Sequence, residues 1–79
     1  MSHAAHELHD EFPDQAERLH HLKTHDRHFA KLADAYHTVN RAIHRAESGV
    51  EALADAALED LKKQRLTLKD QIAGMLQAA

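Results

Sequence analysis

The sequence has no cysteine and no tryptophan, and its 79 residues include only two glycines and one proline. Without cysteine there is no disulfide, no thiolate metal site and no cysteine nucleophile. Two Phe and one Tyr are too few for a base-stacking platform. So little Gly and Pro excludes the many turns of a β-sandwich. No apolar run approaches the roughly 20 residues of a membrane span. Met1 to Asp14 is rich in His and acid and lacks the apolar centre of a signal peptide. The expectation is a cytoplasmic chain with no membrane association, folded as one domain over 1–79.

What the chain does have is charge of both signs and histidine. Ten Lys and Arg against 13 Asp and Glu leave a formal charge of -3. That balance disfavours nucleic acid, whose phosphates call for a net basic face. Nine histidines titrate in the physiological range.

Apolar residues recur at alternating steps of three and four through Phe29, Leu32, Tyr36, Val39, Ile43 and Ala46. This period predicts one face of a helix over 26–47. Asp26 suits its N-cap, and Ser48-Gly49 suits its end. A second run, Leu58, Leu61, Arg65, Leu68, Ile72 and Met75, predicts a helix over 55–77 with Asp55 as cap. Leu53, Leu66 and Leu76 widen that stripe. Phe12, Ala16, Leu19 and Leu22 form a stripe out of phase with the first run. A short helix over 14–22, opened by Pro13, and a break at 23–25 are therefore expected. Residues 1–11 are expected to be a loosely ordered tail.

Two helices of similar length joined by a short loop predict an antiparallel, coiled-coil-like hairpin. Folding about residues 50–51 would set Ile43 near Leu58, Tyr36 near Arg65 and Phe29 near Ile72. The fold class is thus all-α, a short N-terminal helix followed by a two-helix hairpin. Such a hairpin leaves part of each stripe wet, so pairing into a dimeric helical bundle is expected. Arg65 on the seam needs acceptors, and the Tyr36 ring and the Asn40 amide oxygen are the nearest candidates.

Several segments carry a family resemblance: Phe12-Pro13, Leu22-Lys23-Thr24, His28-Phe29-Ala30-Lys31-Leu32, Tyr36 to Glu47, and above all Leu61-Lys62-Lys63-Gln64-Arg65-Leu66-Thr67-Leu68-Lys69-Asp70. Together they resemble the YdcH-like family of small bacterial proteins of unknown function, over about residues 12–76. Where relatives often carry Pro or Ser ahead of the second helix, this chain has Leu53-Ala54. The resemblance implies a small helical, coiled-coil-like protein and no reaction, cofactor or catalytic residue.

No Gly-rich phosphate loop, nucleophile elbow or HExxH is present, so no enzyme is expected. The leading expectation is a non-catalytic interaction or adaptor module that self-associates or docks on a helical protein partner. It would act through its seam and the Leu66/Leu76 flank. The alternative is a metal-handling protein. His21, His25 and His28, spaced four and three, would share one face of an unbroken helix and suit zinc, nickel or copper. His3, His6 and His9 recur nearby. A third reading is weak nucleic-acid association through Arg41, Arg45, Lys62, Lys63, Arg65 and Lys69.

Overall fold

The computed structural model describes residues 5–78. Every regular element among them is helical: α1 (Leu8–Glu11), a 3-10 turn (Pro13–Gln15), α2 (Ala16–His25), α3 (Arg27–Glu47) and α4 (Asp55–Gln77). No helix of the described residues is long and apolar enough to cross a membrane.

The first correction concerns the N-terminal region. Residues 5–11, read as part of a loose tail, instead form a turn and α1, with Leu8 and Phe12 packed against the core. The part of that tail before residue 5, including His3, lies outside the described residues. Pro13 opens the 3-10 turn rather than an α-helix. The helix expected over 14–22 begins at Ala16 and runs on to His25.

The break expected at 23–25 is a single residue, Asp26, in extended conformation at φ -122 and ψ 109. Its backbone N–H closes α2 on Leu22 O at 2.8 Å. Its carboxylate opens α3 by accepting from Phe29 N at 3.0 Å. One residue thus serves as the cap of two helices, satisfying orphan groups on both sides.

α3 ends at Glu47, and Gly49 takes the left-handed φ of 82 that the chain reversal requires. α4 begins at Asp55, but Ala54 stands at the N-cap position and supplies no side-chain bond. Asp55 contributes its charge to the first turn instead.

The core adds a flank to the expected stripe. Its buried apolar members are Leu19, Phe29, Ala33, Tyr36, Ile43, Ile72 and Leu76, with Asn40 fully buried among them. On α3 the buried track therefore reads Phe29, Ala33, Tyr36, Asn40, Ile43. Leu32 and Val39, placed on the seam by hydrophobicity, are only half-buried. The spine Phe29–Tyr36–Ile43 is shared by both readings. The direction in which the stripe widens is set by what covers it, and residues 5–7 and α2 cover the Ala33/Asn40 side. On this track Leu22 lies seven residues before Phe29, so the stripes of α2 and α3 are in phase. The break comes from the cap at Asp26, not from a phase mismatch.

α4 lies against α3, with polar contacts at Glu47–Lys62, 3.0 Å, and Asn40–Arg65, 2.7 Å. Arg65 thus bonds Asn40, one turn along from the Tyr36 expected beside it. Leu76 is core, whereas Leu66 is 59% exposed.

Candidate functional site

The most constructed part of the molecule is a polar cluster where the N-terminal arm, residues 5–25, meets α3 and α4. It grows from one anomaly: a fully buried asparagine in the middle of an amphipathic helix. A buried amide must be bonded or it costs about 1–3 kcal/mol. Asn40 answers with three partners. Its Nδ2 donates to Ala5 O at 2.9 Å and to Glu7 Oε2 at 3.1 Å. Its Oδ1 accepts from Arg65 at 2.7 Å. The guanidinium on the apolar stripe of α4 is thereby satisfied by an acceptor on α3.

The arm is held at further points. The Tyr36 hydroxyl donates to His6 O. His44 Nε2 donates to Ala5 O at 2.7 Å, and His37 Nδ1 lies 3.1 Å from Glu7 Oε1. Lys69 of α4 bonds Glu11 at 2.6 Å. Arg18 of α2 donates to Leu76 O at 2.8 Å and to Ala78 O, capping the carbonyl end of α4. These contacts tie the arm to both long helices.

The electrostatics follow from this packing. Burial pushes the Tyr36 phenol up to about 12, with Glu11, Glu7 and Asp10 adding to the effect and Arg65 opposing it. The Lys69 hydrogen bond holds the Glu11 carboxyl below its ordinary value, helped by His6 and opposed by burial. The Lys62 hydrogen bond does the same for Glu47. Among the described residues no buried side-chain nitrogen or oxygen lacks a partner. The buried part of the cluster is internally complete.

Opposite the arm, α3 and α4 leave a shallow apolar groove of about 540 Å³, lined by Ala35, Val39, Leu68 and Thr67 and edged by Asp60, Lys63 and Gln64. A second hollow, about 390 Å³, lies between the arm and α3, with Glu7, Leu8, Leu19, His20, Ala33 and His37 among its walls.

The residues singled out from the sequence fall into distinct places. Phe29, Tyr36, Ile43 and Ile72 are buried in the core. Leu32, Val39, Leu58, Leu61, Arg65, Leu68 and Met75 are half-buried. His21 and His25 stack face to face with ring centroids 4.2 Å apart, and His25 Nδ1 lies 2.9 Å from His21 O. Stacked rings direct their in-plane lone pairs side by side rather than toward one point. His28 stands beyond the Asp26 break, on the next helix. Among the described residues no three His, Asp or Glu side chains converge as a metal-binding group. In the basic band, Arg45 pairs with Glu51 at 2.6 Å, Lys62 with Glu47 and Lys69 with Glu11. Three of its charges are thus neutralised locally.

Sequence reasoning missed Ala5, Glu7 and Glu11, and it named His6 for its ring and not for the carbonyl that Tyr36 holds. The one available signal was Asn40: a polar residue one position past the apolar stripe, needing an unnamed partner.

No curated protein and no solved structure matches the chain. A family described as "Protein of unknown function (DUF465)" matches residues 29–76, which is α3 through nearly all of α4 and none of the arm. YdcH-like is a member name of that family. On a match covering more than half of its length, the chain belongs to the DUF465 family.

Proposed function

We propose that the chain is a non-catalytic helical interaction module. In this reading α3 and α4 form an antiparallel hairpin that pairs with a second copy of itself. The observation that carries it is the groove between Val39 and Leu68. These side chains belong to the apolar periodicity of their helices, yet the described residues leave both of them only half-buried. The arm fills the other side of the same helix pair with a complete set of bonds, so the groove is the face left for another molecule.

The chemistry of the groove edge favours self-pairing. Asp60 and Lys63 stand on the same rim, one helical turn apart. A two-fold axis through the groove would set each Asp60 opposite the other copy's Lys63. The apolar floor would then meet an identical floor, as in a four-helix bundle.

Light scattering across a concentration series tests this. The expected result is a dimer mass for the parent chain and a monomer mass for Leu68→Glu, with helical circular dichroism unchanged. A parent chain that stays monomeric throughout, or a Leu68→Glu variant that keeps the dimer mass, would overturn the reading.

A further inference from the structure

The arm offers a second mode of association, independent of the groove. The buried track of α3 places Phe29, Tyr36 and Ile43 at one heptad position and Ala33 and Asn40 at the other. Extended toward the N-terminus at the same spacing, the first position meets Leu22 and the second meets Asp26 and then Leu19. Leu19 is buried, and Leu22 packs against the core. α2 and α3 therefore carry one continuous heptad stripe, of the kind a single helix would carry. It is interrupted at one residue, and that residue is an aspartate standing on the buried track. In an unbroken helix its carboxylate would enter the seam; in the break it caps Phe29 N instead.

We propose that Asp26 is the hinge of an exchangeable arm. In the exchanged form α2 and α3 run as one helix from Ala16 to Glu47, and each arm docks on the second copy. The occupant is a second copy because the arm already fits this surface in the closed chain. Ala5 O and Glu7 meet Asn40, the Tyr36 hydroxyl meets His6 O, Glu11 meets Lys69 and Arg18 meets Leu76 O. Every one of these bonds re-forms between chains without alteration. The closed and exchanged forms differ only at the hinge, which is the condition under which short connections swap domains. Each polar cluster in the exchanged dimer is completed by the partner's arm.

The absence of cysteine permits a direct test. One population carries His20→Cys and another Asp34→Cys, two exposed positions on the walls of the hollow between α2 and α3. The two are mixed, equilibrated and treated with a short bis-maleimide. The expected product is a cross-linked pair, several-fold more abundant than with Ser48→Cys in place of Asp34→Cys. Adding Asp26→Leu to both populations, which removes the cap and restores an apolar residue to the track, raises the yield further. A yield no higher than the Ser48→Cys control, with and without Asp26→Leu, overturns the hinge. Leu68→Glu in both populations separates this proposal from the groove dimer. The cross-link persists if arms exchange; its loss would mean that the reagent reports groove pairing, and exchange would be rejected.

Discussion

The two flanks of α3 obey opposite rules. Toward the arm, the fully covered residues are Ala33 and Asn40, one small and one polar. Toward the groove, Val39 is apolar and remains only half-buried, and Leu32 on the same flank is half-buried against the core. Hydrophobicity alone would rank them the other way round. The difference teaches that burial in a chain this small is decided by which segment is available to lie on a surface. The arm brings backbone carbonyls and a carboxylate, so it selects the flank that can donate hydrogen bonds. The flank that offers only apolar surface is left for another molecule in the proposed function.

This contrast can be broken by substitution. The largest effect is expected at the spine common to both flanks. Phe29→Ala, at a site with no exposed surface, should cost about 3–5 kcal/mol, enough to unfold a marginal domain; urea titration followed by circular dichroism reads it. Next comes the contrast itself. Asn40→Ala should cost roughly 1–3 kcal/mol, since it strips Arg65 of its acceptor and Ala5 O of a donor. Val39→Ala, measured in dilute solution, should cost less because Val39 is half open. If Val39→Ala proves the costlier, the arm flank is not the organised one.

Alkali probes the arm flank without large truncation. The Tyr36 phenol titrates above its ordinary value in the folded chain, so the unfolded chain loses its proton first. The Tyr36 contribution to stability is therefore complete below about pH 10 and lost as pH rises toward about 12. Tyr36→Phe should remove that alkaline loss from a pH series of urea midpoints. The smallest effect is expected at the rim. Glu47→Gln breaks an ion pair whose two side chains are both more than two-fifths exposed, and the urea midpoint should move by no more than about 0.5 kcal/mol equivalent.

How much of this was legible beforehand depended on the kind of signal. The long helices announce themselves by period and caps: 26–47 was expected beside an observed Arg27–Glu47, and 55–77 beside Asp55–Gln77. Asn40 as the acceptor for Arg65 was also within reach, because a guanidinium on an apolar stripe demands one. Tyr36 was placed on the seam, but not as a donor. The stretch of the arm before α2 was illegible for a physical reason. Its apolar anchors, Leu8 and Phe12, are too few to show a period. Its main grips are the carbonyls of Ala5 and His6, groups every residue possesses. The full coverage of Ala33 and Asn40 rested on that hidden arm, and so the sequence stripe carried the spine and Leu32 but not that flank. The break expected at 23–25 already separated His28 from His21, and the structure puts the interruption of that histidine face at Asp26.

The carbonyl grip has a consequence for how this chain tolerates change. Asn40, His44 and Tyr36 hold Ala5 and His6 by main-chain atoms, so they register the path of the segment and not its letters. Position 5 accepts substitution freely as long as the path persists. Position 6 has two preferences: His6 sits at a φ of 66, where glycine rests without strain, and its ring lies 3.3 Å from Glu11. A segment of this kind drifts in sequence while its grip stays constant. The rate at which it diverges therefore says little about how firmly it is bound.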